Sequence, residues 1–211
     1  MRPIIGITAD ISDHRYRVRT NYGLYVAKAG GIPVVLPPIL GEEDRYIDLC
    51  DGFIFTGGDD PRMEQWGIET HPKATLCNPI RQEFETTLLG KLTHAPNKPV
   101  FGICLGMQWM GLLGEGTLTQ DLPPSLSKRH TSGTHAIQGE FGEGVVHSSH
   151  HQAMNDSGSL VVVAQAEDGI IEAIRDPNHH WYVGVQWHPE RTEAYQLGQG
   201  LFDQFCKAAR Q

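Results

Sequence analysis

The alternation of short apolar runs with helix-length segments most constrains how this chain can fold. In the first half, predicted strands bounded by Gly or Pro occupy residues 3–9, 32–36, 52–55 and 99–103. Predicted helices occupy residues 21–29, 79–92 and 105–113. Strands that alternate with helices imply right-handed crossovers and a mainly parallel sheet with helices on both faces.

The second half of the chain is richer in strands. Further strands are predicted at residues 160–166, 170–175 and 181–186, before a C-terminal helix with Phe202, Phe205 and Cys206 on one face. We therefore expect an α/β protein whose open, mainly parallel sheet has an antiparallel edge region. The length of 211 residues predicts one domain, residues 1–211. In such sheets, ligands bind beyond the carboxyl ends of the strands.

Composition and charge argue against several classes of protein. The 17 Lys and Arg against 25 Asp and Glu give a net charge of −8, which argues against nucleic-acid binding because that needs a basic surface. No apolar run approaches the roughly 20 residues that span a bilayer, and the N-terminus does not resemble a signal peptide. The four cysteines lack C-x-x-C spacing, so we expect free thiols and a cytoplasmic protein.

A candidate nucleophile lies between the predicted strand at 99–103 and the helix at 105–113. Residues 102–106 read Gly-Ile-Cys-Leu-Gly, the spacing of the Gly-x-Ser-x-Gly nucleophile elbow with sulfur in place of oxygen. Side chains at positions 102 and 106 would collide with the sharp turn or its neighbouring strand. Cys104 would lie at a helix N-terminus, which favours the thiolate. The alternative is a buried cysteine between two turn glycines.

A candidate base follows the predicted strand at 181–186. His188 and Glu190 are two residues apart, so in extended backbone they can face the same side. Glu190 could accept a hydrogen bond from one imidazole nitrogen while the other nitrogen faces Cys104, as in a catalytic triad. The alternative is a surface histidine with a carboxylate nearby.

Together these motifs resemble the class I glutamine amidotransferase superfamily. Gly-Ile-Cys-Leu-Gly-Met-Gln at 102–108 and Gln-Trp-His-Pro-Glu at 186–190 carry the resemblance. Pro-Ile-Ile-Gly-Ile-Thr at 3–8, Phe-Thr-Gly-Gly at 55–58 and His-Ser-Ser-His-His-Gln-Ala at 147–153 are similar to its gamma-glutamyl hydrolase branch, which includes the gamma-glutamyl-gamma-aminobutyrate hydrolases. The resemblance covers essentially the whole chain and implies a flavodoxin-like fold.

The resemblance also implies roles for individual residues. Cys104 would be the nucleophile, His188 the base and then the acid, and Glu190 the group that orients His188. The backbone N–H of Leu105 and one from Gly57 or Gly58 would form the oxyanion hole. Four residues match positions that hold the glutamyl end of the substrate: Gln108, Ser149, His150 and His151.

Two departures from the pattern of the hydrolases leave the identity of the substrate open. Leu105 stands where the hydrolases usually carry Arg, and Asp59 stands where Pro is more usual. We expect a hydrolase that cleaves a small gamma-glutamyl amide through a thioester, with a homo-oligomer possible. The alternatives are a glutaminase subunit that delivers ammonia to a separate synthetase and a non-catalytic regulatory domain.

No metal ion or cofactor is expected from the sequence. His147, His150 and His151 cluster along the chain, but neighbouring histidines point apart in a strand and no nearby Cys or carboxylate completes a ligand set. The Gly57-Gly58 turn lacks the Gly-Lys-Ser/Thr and Gly-x-Gly-x-x-Gly patterns of nucleotide-binding loops. Asp59 and Asp60 are predicted to form a solvated turn beside the pocket mouth.

Overall fold

A nine-stranded mixed sheet forms the centre of the structure. The computed structural model describes residues 1–210. Its strands are β1 (Ile4–Thr8), β2 (Asp10–Ser12), β3 (Arg15–Arg17), β4 (Ile32–Leu36), β5 (Gly52–Phe55), β6 (Val100–Ile103), β7 (Thr117–Thr119), β8 (Gly133–Gly139), β9 (Gly142–Ser148), β10 (Ala153–Asp156), β11 (Val161–Ala166), β12 (Ile171–Arg175) and β13 (Tyr182–Val185). The order across the main sheet is β4-β1-β5-β6-β13-β12-β11-β8-β9.

The five strands from β4 to β13 in this order are parallel, and the other four extend the sheet antiparallel to their neighbours. The carboxyl ends of parallel strands meet at one edge of a sheet. Thr56 follows β5, Cys104 follows β6 and Gln186 follows β13, so these neighbouring strands bring the three residues together. Two small antiparallel pairs, β2–β3 and β7–β10, lie outside the main sheet.

Helices cover both faces of the sheet. They are α1 (Thr20–Lys28), α2 (Glu43–Leu49), α3 (Pro79–Leu92), α4 (Leu105–Leu113), α5 (Pro124–His130) and α6 (Gln199–Ala208). On one face α1 and α6 bury residues such as Val26 and Phe202, and on the other α3 and α4 bury residues such as Phe84 and Trp109. Burial of each large apolar side chain contributes about 1.5–3 kcal/mol, so both layers hold the sheet in place.

The predicted α/β fold with an antiparallel edge region is confirmed, and the predicted elements agree with the structure to about one residue at either end. The elements that the sequence did not predict are β2, β3, α2, β7, α5, β8, β9 and β10. Strands β8 and β9 carry glycine and polar residues at largely exposed positions, so they lack the apolar runs that marked the buried strands.

The helices do not reach membrane-spanning length and hydrophobicity. Among residues 1–210, no helix is both long and apolar enough to cross a bilayer.

Candidate active site

Cys104 occupies a strained turn between β6 and α4. Its φ of 53° and ψ of −104° lie in a region that residues other than glycine rarely adopt. The Cys104 N–H donates to the Val185 carbonyl at 2.8 Å, and its carbonyl accepts from the Gln108 N–H at 3.1 Å. The turn is thus fixed from both sides, with the sulfur at the N-terminus of α4.

The two glycines of the elbow are required by close backbone packing. A Cβ at Gly102 would lie 2.8 Å from the Gly106 carbonyl carbon and would also collide with Met110. A Cβ at Gly106 would lie 2.8 Å from the Phe55 Cβ and closer still to its carbonyl oxygen. A side chain at either position would therefore collide with its surroundings, as the sequence predicted.

His188 and Glu190 lie against the elbow, at the end of β13. The Nδ1 atom of His188 lies 2.8 Å from Oε1 of Glu190, and the Glu190 carboxylate is fully buried. Asn21 donates to the Glu190 carbonyl oxygen at 3.0 Å, which ties this turn to α1. The structure therefore brings Cys104, His188 and Glu190 together.

The surroundings of His188 favour its protonated form. Burial lowers the pKa of His188, but hydrogen bonds with Cys104 and Glu190, together with the charges of those two groups, outweigh burial and raise it to about 9. Burial raises the pKa of Glu190, yet its hydrogen bond with His188 brings the net change below the usual value. At neutral pH the pair is imidazolium and carboxylate, so His188 holds a proton beside the sulfur.

Two glutamines form a chain of hydrogen bonds that ends at the nucleophile. Gln186 Nε2 donates to Cys104 Sγ at 3.5 Å, and Gln108 Nε2 donates to Gln186 Oε1 at 3.3 Å. Both side chains are buried, and Gln108 also borders the cavity in front of Cys104. The family resemblance pointed to Gln108 but not to Gln186, although Gln186 opens the motif that contains His188.

The glycine loop after β5 is held by a buried arginine. Nη2 of Arg81 donates to the carbonyl oxygens of Thr56 at 3.0 Å and Gly57 at 3.2 Å. The Gly57 N–H donates to the Tyr22 hydroxyl at 3.1 Å. A trans peptide places its N–H opposite its C=O, so the Gly58 N–H faces away from Arg81.

Arg81 is itself paired inside the protein. Its Nε lies 2.6 Å from Glu85 Oε1, one helical turn along α3, and both side chains are fully buried. Burial raises the pKa of Glu85 to about 7, opposed by the charge and hydrogen bond of Arg81. Nη1 of Arg81 lies 3.4 Å from Asp10 Oδ1, which borders the cavity. Sequence gave no signal for this pair, because an opposite-charge pair at i, i+4 is typical of a solvent-exposed helix face.

A cavity of about 610 Å³ opens in front of Cys104. Its wall combines both signs of charge: Arg17, Arg19, Arg191, Asp10, Asp59 and Asp60. Hairpin β2–β3 supplies the outer part of this wall, since both Asp10 and Arg17 belong to it. The cavity can therefore accept a small ligand that carries a positive and a negative group.

The residues predicted to hold the substrate differ in whether their side chains already have hydrogen-bond partners in the protein. Ser149 is exposed and borders the cavity, as expected. His150 also borders it, but Nδ1 lies 2.8 Å from the Gln152 carbonyl oxygen and Nε2 lies 3.3 Å from His130, so neither ring nitrogen is directed at a substrate in the cavity. His151 Nε2 lies 2.9 Å from Asp60 Oδ2.

Asp60 differs from the solvated turn that the sequence predicted. It is 9% exposed, and its carboxylate accepts from the Thr75 N–H at 2.8 Å as well as contacting His151. Asp59, its neighbour, is exposed as predicted. The turn is thus half buried, because Asp60 joins two segments of the cavity wall.

The peptidase C26 family model matches residues 3–190. This chain belongs to that family. Protein NtpR of Enterococcus hirae is 34% identical to it over 86% of this chain and 85% of that protein. The gamma-glutamyl-gamma-aminobutyrate hydrolase of Escherichia coli O157:H7 is 28% identical over 99% of this chain and 94% of that protein.

A solved structure has a fold similar to that of this peptidase C26 protein. A glutamine amido transferase from Methylobacillus flagellatus has a TM-score of 0.60 at 19% identity, covering 93% of this chain and 73% of that one. The class I glutamine amidotransferase-like fold predicted from the sequence is thereby confirmed. The predicted gamma-glutamyl hydrolase resemblance is confirmed as a distant homology within a hydrolase family.

Proposed function

We propose that this peptidase C26 protein is a cysteine hydrolase that cleaves the amide bond of a small gamma-glutamyl compound and releases glutamate and an amine. One observation carries the proposal: Cys104, on a strained elbow, lines the same cavity as His188, whose Nδ1 lies 2.8 Å from the buried Glu190 carboxylate. Nucleophile, base and orienting group in this arrangement are the parts needed for acyl transfer.

The first half-reaction forms a thioester. The Cys104 sulfur attacks the gamma-carbonyl carbon, the C–S bond forms, and the carbonyl electron pair moves onto oxygen. The tetrahedral intermediate collapses as His188 gives its proton to the amine nitrogen and the C–N bond breaks. The raised pKa of His188, about 9, supports this step because the proton is present at neutral pH.

Water completes the reaction. His188, now neutral, takes a proton from water as the oxygen attacks the thioester, and the C–S bond breaks to release glutamate. The proton on His188 then stands beside the regenerated thiolate of Cys104. Glu190 remains ionised and orients the imidazole through both steps, for which its lowered pKa is suited.

The oxyanion hole we propose consists of the Leu105 and Gly58 N–H groups. Leu105 is the first residue of α4, where N–H groups have no partner within the helix. Gly57 is the less suited of the two glycines, because its N–H already donates to Tyr22. Arg81 fixes the peptide between Gly57 and Gly58 before any substrate binds, and such preorganised donors need no rearrangement during reaction.

The mixed charge of the cavity supports a glutamyl head group. That group carries an ammonium and a carboxylate, and each must be paired when it leaves water. Asp10 and Asp59 can accept from the ammonium, while Arg191 and exposed Ser149 can bind the carboxylate. The known activity of the E. coli relative, as its name gives it, is consistent with such a substrate.

Glutamate release by the purified chain tests the proposal. With gamma-glutamyl-aminobutyrate and related amides, we expect turnover without any added protein, and faster turnover than with glutamine. A Cys206→Ala variant, which removes a buried thiol far from the cavity, should match the wild type. If the chain is inert on these amides but hydrolyses glutamine once a synthetase is added, the glutaminase-subunit alternative replaces this proposal.

A further inference from the structure

A second cluster of ionisable groups lies behind the cavity wall, outside the Cys104 site. His130 ends α5, His135 lies on β8, His150 follows β9 and Glu172 lies on β12. The four side chains are 0–7% exposed. Nothing in the proposed reaction uses this cluster.

Three of these groups, His130, His135 and Glu172, converge on one point, and His150 lies beside two of them. Oε1 of Glu172 lies 3.3 Å from His130 Nδ1, and it lies 2.9 Å from His135 Nε2. The same oxygen lies 3.6 Å from His150 Nε2, which is 3.3 Å from His130 Nδ1. The ligand atoms of His130, His135 and Glu172 all lie within 4.8 Å of one another.

The outer hydrogen bonds fix how two of the rings are oriented. His150 Nδ1 lies 2.8 Å from the Gln152 carbonyl oxygen, which can only accept, so this nitrogen carries the proton. His130 Nε2 lies 3.1 Å from Asp168 Oδ2 and donates to that carboxylate. In the neutral rings, the lone pairs of His130 Nδ1 and His150 Nε2 therefore face each other and the Glu172 carboxylate.

The inner atoms lack partners among residues 1–210. Both oxygens of Glu172 and both ring nitrogens of His135 are buried without a hydrogen bond of good geometry. A buried carboxylate without a donor repels the lone pairs that face it. Burying such unpaired groups costs free energy of folding. A cation at the point of convergence would bind the Glu172 carboxylate and one nitrogen of His135, and it would separate the facing lone pairs.

We propose that His130, His135, His150 and Glu172 form a structural Zn²⁺ site. Zinc–nitrogen bonds of about 2.0–2.1 Å place the ligands of a tetrahedral ion about 3.3–3.4 Å apart, close to the separations found here. Four protein ligands leave no open position, as in structural rather than catalytic zinc sites. Asp168 and the Gln152 carbonyl oxygen supply the outer hydrogen bonds that orient metal-binding histidines.

This site differs from the histidine grouping considered in the sequence. There, His147, His150 and His151 gave no ligand set, and no metal was expected. In the structure His147 lies beside His188 and His151 contacts Asp60, so only His150 joins the cluster. The carboxylate of Glu172 lies on β12, which β11 separates from β8. Sequence spacing does not reveal that these strands lie in one sheet.

The metal content of the purified protein tests the proposal. After dialysis against metal-free buffer, elemental analysis should find about one Zn²⁺ per chain. Removal with a chelator should lower Tm, and added Zn²⁺ should restore it. Protein reloaded with Co²⁺ should show the intense visible absorption of a tetrahedral ion with nitrogen and oxygen ligands.

Matched variants locate the ion. Glu172→Gln and His135→Asn should abolish stoichiometric zinc, whereas His179→Asn should retain it, although His179 also lies between a carboxylate and a backbone carbonyl. The Co²⁺ spectrum of the wild-type chain decides the matter even if a variant fails to fold. Wild-type protein without bound zinc, with neither a Tm rise nor cobalt absorption on metal addition, overturns the proposal, as does full zinc content in Glu172→Gln.

Discussion

Arg81 donates a hydrogen bond to the carbonyl oxygen of Gly57 across 3.2 Å, from a fully buried position beneath the loop. The same nitrogen also donates to Thr56, while Nε binds Glu85. A guanidinium group can make these contacts together because its donors diverge in a plane. The orientation of the Gly58 N–H therefore depends on a residue that does not line the cavity.

Arg81→Lys should reduce kcat with little change in KM. Lysine keeps the charge beside Glu85 but cannot donate to the loop and the carboxylate in the same geometry. We expect kcat to fall about 10- to 100-fold, less than the ~10²–10³-fold typical of losing an oxyanion donor outright. Steady-state kinetics beside Arg175→Lys, a surface arginine paired with Glu140, provides the control. An equal rise in KM would assign Arg81 to binding instead.

Alkylation should occur first at Cys104. Burial raises the pKa of Cys50 and Cys206 to about 11 and that of Cys77 to about 12, so these three remain thiols at neutral pH. Cys104 borders the cavity beside His188, and only thiolates react quickly. Mass spectrometry after brief iodoacetamide treatment should find label at Cys104 alone, with activity lost in proportion.

Cys104→Ala should abolish glutamate release while the protein stays folded. Loss of a nucleophile costs on the order of 10⁶-fold in comparable hydrolases. Alanine is smaller than cysteine and fits the same turn, although it keeps the positive φ of 53°. Unchanged activity would rule out Cys104 as the nucleophile. Cys50→Ala, at a buried position in the core, is the matched control.

His188→Asn should cost more activity than Glu190→Gln. In the proposed mechanism the histidine transfers protons in both half-reactions, whereas Glu190 only orients it, so we expect losses near 10⁶-fold and roughly 10⁴-fold or less. Single-turnover kinetics compares the two variants without interference from product release. The reverse order would mean that the two roles are wrongly assigned.

Activity should decline as pH rises above about 9. In the proposed mechanism the free protein must hold a proton on His188, and the pKa of His188 is raised to about 9. Glu190 contributes to that rise, so Glu190→Gln should move the alkaline limb of kcat/KM to lower pH. A profile of kcat/KM against pH for both proteins measures this. An alkaline limb at the same pH in both would show that His188 is not the group being titrated.

The sequence predicted the parts of the site that short local motifs indicate. Cys104 follows an apolar strand and precedes a helix, and the spacing of its flanking glycines indicated the sharp turn that the structure contains. His188 and Glu190 were paired because alternate residues of extended backbone share a side. These inferences needed only local backbone geometry, which sequence spacing describes well.

The remainder depends on contacts between distant segments. Arg81 and Glu85 have the spacing of a surface ion pair, and only the packing of α3 against the loop after β5 reveals that they are buried. The family resemblance implied that His150 holds the substrate, yet its ring lies beside Glu172. Sequence proximity could not show which side of the wall each ring occupies.

The division of the cavity between the sheet and the hairpin has a consequence for protein engineering. Cys104 and Gln186 end neighbouring parallel strands of the core, whereas the outer wall comes from Asp10 and Arg17 of a two-stranded hairpin outside the main sheet. Redesigning the rest of that hairpin, with Asp10 kept because it lies 3.4 Å from Arg81, would alter the charge of the cavity wall without replacing either of these core strands. The groups that a ligand meets at the outer wall can thus be varied separately from the core strands that end at Cys104 and Gln186.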